Sequence, residues 1–232
     1  QAVMRQLPAV IAHPFNQQLQ NGTLSSRNFY FFMQQDFLYL KTFSKVLIHL
    51  AQRMASSSVA MQLNSLASYI NLVEKDLHHA YLSQVQLPPQ AFFSQVNAPV
   101  PCHAVRNYIA HLQTHAACDL PVVALAALYP CYKLYGELAL HFVSMPKTPN
   151  NPYQAWINSY GDPCFTKCIM QFTQILQESC SLSERENSDR MIRAALESCR
   201  LEIAFWDEAM CQEPRLLPLS RFPNPQGLIA AR

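Results

Sequence analysis

The sequence predicts an all-α protein, folded as a single-domain helical bundle. Three observations carry this. Apolar residues recur at helical spacing along nearly the whole chain, with no sustained alternation of period two. Only four glycines occur, Gly22, Gly136, Gly161 and Gly227, too few and too scattered for the turn chemistry of an all-β fold. And 232 residues with 50% apolar and 11% aromatic content supply a sizeable core for one domain.

The helices follow in order. The first is expected around 1–20, with His13-Pro14 reading as a helix boundary rather than a haem ligand. Asn21-Gly22-Thr23 makes a turn, and Ser25/Ser26 can cap a helix running to about 54. Ser56–Ser58 opens another, to about 83, followed by a proline-rich connection over 86–101. A helix spans about 102–117, and Asp119 with Pro121 starts one reaching about 144. Short helices are expected at 152–160 and 163–180. Ser183 begins the last, to about Cys211, with Glu186 completing a capping box. The helical domain thus covers 1–212, and 213–232 forms a proline-rich tail.

Composition excludes several functions. No GxGxxG or P-loop can be assembled from four scattered glycines. A net charge of +2, with no basic block beyond a pair, argues against nucleic-acid binding. The longest apolar run, Val122 to Tyr132, is too short to span a bilayer. Eight cysteines show no zinc spacing, and the expectation is a cytoplasmic protein with reduced, mostly buried thiols. Asp76 and His79 give one D-x-x-H, where a helical di-metal site wants two E-x-x-H pairs, so neither metal nor cofactor is expected.

Three apolar stripes each carry a reactive group where a core residue belongs. Asp36 interrupts Phe29, Phe32, Met33, Leu40, Phe43 and Leu47. Cys131 lies among Ala124, Leu128, Tyr135, Leu138 and Phe142, directly after Pro130, which removes a helix hydrogen bond. Glu202 lies among Ile192, Ala195, Cys199, Trp206 and Ala209, while Asp207 and Glu208 project to other faces, Glu208 near the helix end. A buried Asp must find donors or a ligand. A Glu in apolar surroundings has a raised pKa and can act as a general acid. Tyr39, Tyr108, Tyr135, Tyr160, Phe205 and Trp206 sit on the same elements and could wall a pocket for a flat heteroaromatic ligand. Each of these is also compatible with an ordinary core role.

Together the residues His13-Pro14-Phe15, the run Gln34 to Leu40, Ala126 to Cys131 with Tyr135, Asn151-Pro152-Tyr153 through Trp156 to Tyr160, and Glu202 with Phe205-Trp206 resemble the TenA/thiaminase II family. The likeness covers about 200 residues in the family's order. It implies a haem-oxygenase-like bundle that binds no haem, typically a homotetramer. It also implies an aminopyrimidine aminohydrolase of thiamin salvage, cleaving thiamin or 4-amino-5-aminomethyl-2-methylpyrimidine to 4-amino-5-hydroxymethyl-2-methylpyrimidine. By the same resemblance Cys131 is the nucleophile and Glu202 the acid. Asp36 accepts from the ring amino group, and Tyr39, Tyr108, Tyr135, Tyr160 and Phe205 surround the ring. Tyr129 before Pro-Cys and Tyr132-Lys133 after it depart from the usual pattern. The alternatives are a non-catalytic pyrimidine-binding or regulatory protein on this fold and a metal-dependent oxygenase of a related one.

Overall fold

The computed structural model describes residues 1–73, 100–181 and 185–212, with side chains omitted at 73, 181, 185 and 186. Every regular element in this part is helical. A short 3-10 turn, Val3–Gln6, leads into α1 (Leu7–Ala12), α2 (Pro14–Asn21), α3 (Ser26–Ala51) and α4 (Ser57–Val73). Then come α5 (His103–Cys118), α6 (Pro121–Ser144), α7 (Gln154–Tyr160), α8 (Pro163–Ser181) and α9 (Arg185–Met210). The Asp76/His79 pair, most of the 86–101 connection, the Ser183 cap and the tail lie outside the described residues.

The expected first helix is two helices. His13 is extended, with φ −62° and ψ 133°, because a residue before proline is pushed out of the helical region. Its side chain turns the break into a cap. Nδ1 accepts from the Phe15 amide at 3.1 Å, while Nε2 is left to donate to Asp207 Oδ1, also at 3.1 Å. This pairing ties α2 to the far end of α9. Gly22 closes α2 at φ 74°, and a Cβ there would lie 3.2 Å from both Asn151 and Pro152. Ser25 Oγ accepts from the Asn28 amide to start α3.

The longest helices form the frame. α9 packs along α6, α4 and α5 pack against α3, α8 lies on α6, and α5 also contacts α9. Gly136 permits the α6–α8 approach, since a Cβ there would come within 2.7 Å of Ile169 Cδ1. The core runs the length of this frame and is rich in aromatics: Phe15, Phe32, Phe43, Tyr108, Phe172, Phe205 and Trp206 are almost wholly removed from water. The predicted stripes face it, except that Ile192 is 44% exposed near the start of α9. α6 continues through Pro130 as helix, leaving the Ala126 carbonyl without an amide donor one turn on.

All eight cysteines are free. The expectation that most are buried does not hold: only Cys168 and Cys199 are, while Cys118, Cys164 and Cys211 are exposed. No helix among the described residues is long and apolar enough to cross a membrane.

Candidate active site

Helices α3, α4, α6, α7 and the start of α8 leave a cavity of about 150 Å³ between them. An apolar cavity of that size accommodates one six-membered aromatic ring. α3 contributes Asp36, Leu40 and Phe43, and α4 contributes Tyr69 and Ile70. α6 contributes Cys131, Tyr132 and, one turn on, Tyr135. α7 contributes Trp156, Ser159 and Tyr160, and Asp162 and Phe165 at the α7–α8 junction complete the wall.

Of the eight residues singled out from sequence, Asp36, Cys131, Tyr135 and Tyr160 line this cavity. Tyr135 and Tyr160 meet at a ring-centroid distance of 5.4 Å. Trp156 Nε1 donates to the Tyr160 hydroxyl at 2.8 Å and fixes that ring's position. Asp36 is buried at the centre of α3.

The other four stand one layer behind the wall. Glu202 is 1% exposed, and the Tyr108 hydroxyl donates to its Oε1 at 3.0 Å. Tyr39 and Tyr108 pack ring on ring at 4.7 Å. The buried Tyr39 hydroxyl has no formed hydrogen bond, yet it is close enough to Cys131 and Tyr108 for either to become its partner. Phe205 is buried and stacks on Phe32 at 5.0 Å. Trp206 stands against Tyr135 and His13.

Electrostatically, Asp36, Cys131 and Glu202 form one cluster. Burial above all, with the Asp36 carboxylate adding to it and the Tyr108 hydrogen bond opposing, raises the Glu202 carboxyl to about 8. Glu202 therefore holds a proton at neutral pH. Burial also pushes the Cys131 thiol well above its usual value, with Glu202 and Asp36 adding to the effect and Tyr39 opposing it. A half-buried, protonated thiol on the cavity wall thus faces one carboxylate, with a carboxylic acid behind it.

Sequence reasoning did not find Tyr69, Tyr132, Trp156, Ser159, Asp162 or Phe165 as wall residues. Tyr132 carried a signal, being an unusual residue beside the nucleophile position. The rest read as ordinary core or cap residues. Glu208, expected near a frayed end, instead reaches across to α5: its carboxylate accepts from the amides of His103 and Ala104 at 3.1 and 2.6 Å. Among the described residues no group of three or more His, Cys, Asp or Glu converges as a metal site.

The model of the TENA/THI-4/PQQC family matches residues 2–213. The chain belongs to that family. It is 29% identical over 200 residues to an aminopyrimidine aminohydrolase of Halalkalibacterium halodurans, spanning 85% of this chain and 87% of that one. It is 27% identical over 206 residues to the thiamine biosynthesis multifunctional protein ThiED of Corynebacterium efficiens, of whose length it spans 27%. Among solved structures, a TenA homologue from P. horikoshii superposes with a TM-score of 0.78 at 24% identity, covering 90% of this chain and 94% of that one. A domain from Shewanella denitrificans with a heme oxygenase-like fold superposes at 0.67 and 16% identity, covering 89% and 88%. The family's bundle is therefore of this heme oxygenase-like type.

Proposed function

We propose that the protein is an aminopyrimidine aminohydrolase of the thiaminase II type, acting in thiamin salvage through covalent catalysis by Cys131. The observation that carries this is a reachable thiol on the wall of a ring-sized aromatic cavity, coupled to a buried Glu202 that keeps its proton near pH 7. A purely binding pocket has no use for that pair.

Each group then has a task. Tyr135 and Tyr160 hold the flat ring, and Asp36 accepts from its amino group. Glu202 gives its proton to a ring nitrogen, drawing electron density from the ring. The Cys131 sulfur bonds to the ring carbon beside the one bearing the exocyclic methylene. Electrons returning from the ring then break the bond to the leaving amine, which departs with its electron pair and the proton given up by the thiol. Water adds to the methylene carbon as a hydroxyl, and its remaining proton goes to the sulfur as that sulfur is released. The ring–sulfur bond breaks with its electrons going to sulfur, and the ring nitrogen returns its proton to Glu202. The sum is substrate and water giving hydroxymethylpyrimidine and amine. Burial, which keeps Cys131 as a thiol, also prevents idle alkylation or oxidation before the ring is activated.

This reading includes a cytoplasmic homotetramer. Leu140 and Val143, both exposed near the end of α6, are apolar surface of the kind subunit contacts cover. The test is hydrolysis of thiamin and of 4-amino-5-aminomethyl-2-methylpyrimidine by purified protein, with released thiazole or ammonia measured. Turnover of at least one supports the assignment; turnover of neither contradicts it.

A further inference from the structure

α6 and α9 run side by side in the same direction, and successive contacts between them keep one spacing of 71 residues. Ala127 meets Ser198, Cys131 lies in the field of Glu202, and Tyr135 meets Trp206 at a ring-centroid distance of 5.9 Å. The middle contact is the pair that the proposed reaction uses. The first is of a different kind. Ser198 is wholly buried, and its Oγ donates to the Ala127 carbonyl at 2.7 Å. Among the described residues this is the one hydrogen bond that joins α6 to α9. Apolar packing is non-directional, so it opposes separation of two helices more than sliding. A hydrogen bond fixes direction and distance.

The serine's hydrogen is directed to α6 by a residue of α5. A helical serine can return its hydrogen to the carbonyl four residues back, here Ala194 at 3.2 Å. His111 Nε2 lies 2.9 Å from Ser198 Oγ and 3.2 Å from the same Ala194 carbonyl. A carbonyl only accepts, so Nε2 carries a hydrogen and donates to both oxygens. That leaves the serine's own hydrogen for Ala127. Burial, with His115 adding to it, lowers His111 to about 4, so the ring is a neutral donor at neutral pH. It meets His115 edge-on at 4.5 Å, and His115 Nδ1 pairs with Asp119 at 2.5 Å.

The link sits where α6 is least tied by its own ladder. Pro130 has no amide hydrogen, so a helical bond is missing one residue before Cys131. Ala127 stands one turn before Cys131, as Ser198 stands one turn before Glu202. We infer that Ser198, oriented by His111, is a positioning residue: it pins α9 to α6 so that the Glu202 carboxyl and the Cys131 sulfur stay in reacting register. The cavity is lined by neither Ser198 nor His111, and both act through the backbone of α6. The assignment rests on the reaction proposed above.

The test uses Ser198→Ala, His111→Leu and His111→Gln. Ser198→Ala removes the link and keeps the fold, since alanine is the better helix former and the Ala127 carbonyl retains its helical partner, the Cys131 amide. His111→Leu removes the donor, and His111→Gln restores an N–H at similar reach. Calorimetry with 4-amino-5-hydroxymethyl-2-methylpyrimidine counts the competent sites, and kcat is expressed per site. A second readout needs no substrate: the rate at which iodoacetamide alkylates Cys131, followed by mass spectrometry of its peptide. In Ser198→Ala, kcat per site is expected to fall about 10-fold, short of the roughly 100-fold cost of a misplacement of about 1 Å, while KM stays within about 2-fold. Alkylation of Cys131 is expected to rise several-fold as α9 loosens from the thiol. His111→Leu should follow Ser198→Ala, and His111→Gln should lie near wild type. The double variant Ser198→Ala/His111→Leu should be no worse than Ser198→Ala alone, because the histidine acts only through the serine. A serine that merely stabilises the fold would lower Tm and the number of sites but leave kcat per site alone. Unchanged kcat per site, unchanged alkylation or additive losses in the double variant overturn the inference. If wild-type protein turns over neither thiamin nor the aminomethylpyrimidine, the proposed reaction fails, and alkylation then decides the α6–α9 link by itself.

Discussion

The Tyr108 hydroxyl on α5 donates a 3.0 Å hydrogen bond to Glu202 on α9, and both side chains are almost wholly buried. The bond favours the charged carboxylate, so it holds down a pKa that burial and Asp36 push up. Tyr108→Phe removes that restraint and moves the Glu202 pKa above its value of about 8. Glu202 must be protonated to act, so the alkaline limb of kcat/KM is expected to shift to higher pH. A pH–rate profile of the variant checks this; an unmoved or lowered limb would contradict the coupling.

Glu202→Gln keeps the shape and can still accept from Tyr108, but it cannot cycle a proton. Turnover should fall by at least about 100-fold, with circular dichroism unchanged. Stability gives an independent readout. The carboxyl titrates near 4.5 when unfolded and near 8 when folded. Between those values the native protein keeps a proton that the unfolded chain has lost, so this contribution is complete below pH 4.5 and is lost as pH rises through 8. Wild-type Tm should therefore decline from about pH 5 to about pH 8.5 more steeply than that of Glu202→Gln. Parallel curves would mean that Glu202 is ionised throughout.

Glu208, six residues further along the same helix, is expected to matter for stability alone. Its two oxygens cap the first amides of α5, which no side chain of that helix caps. Glu208→Ala should cost about 1 kcal/mol in denaturant unfolding, and turnover of the folded protein should stay near wild type. A large loss of activity without loss of stability would shift the acid's role from Glu202 to Glu208.

These cases show what the sequence could and could not disclose. Helical spacing located α3 to α9 because each buries a face at period 3.6. It merged α1 and α2, since a single extended residue at His13 does not disturb the apolar pattern. Asp36, Cys131 and Glu202 stood out because each breaks an apolar stripe. Tyr69, Phe165 and Trp156 did not, because an aromatic on an apolar face looks the same whether it meets another helix or a cavity. Glu208 looked like a fraying end because its partner amides lie 104 and 105 residues away in sequence.

The central claim is that Cys131 bonds to the substrate, and Cys131→Ser tests it most directly. The hydroxyl is nearly isosteric but a far poorer nucleophile and leaving group in this setting. Steady-state hydrolysis of 4-amino-5-aminomethyl-2-methylpyrimidine should be measured beside its binding by calorimetry. The account predicts turnover reduced to background with affinity within a few-fold of wild type. Near-wild-type turnover in Cys131→Ser would contradict it.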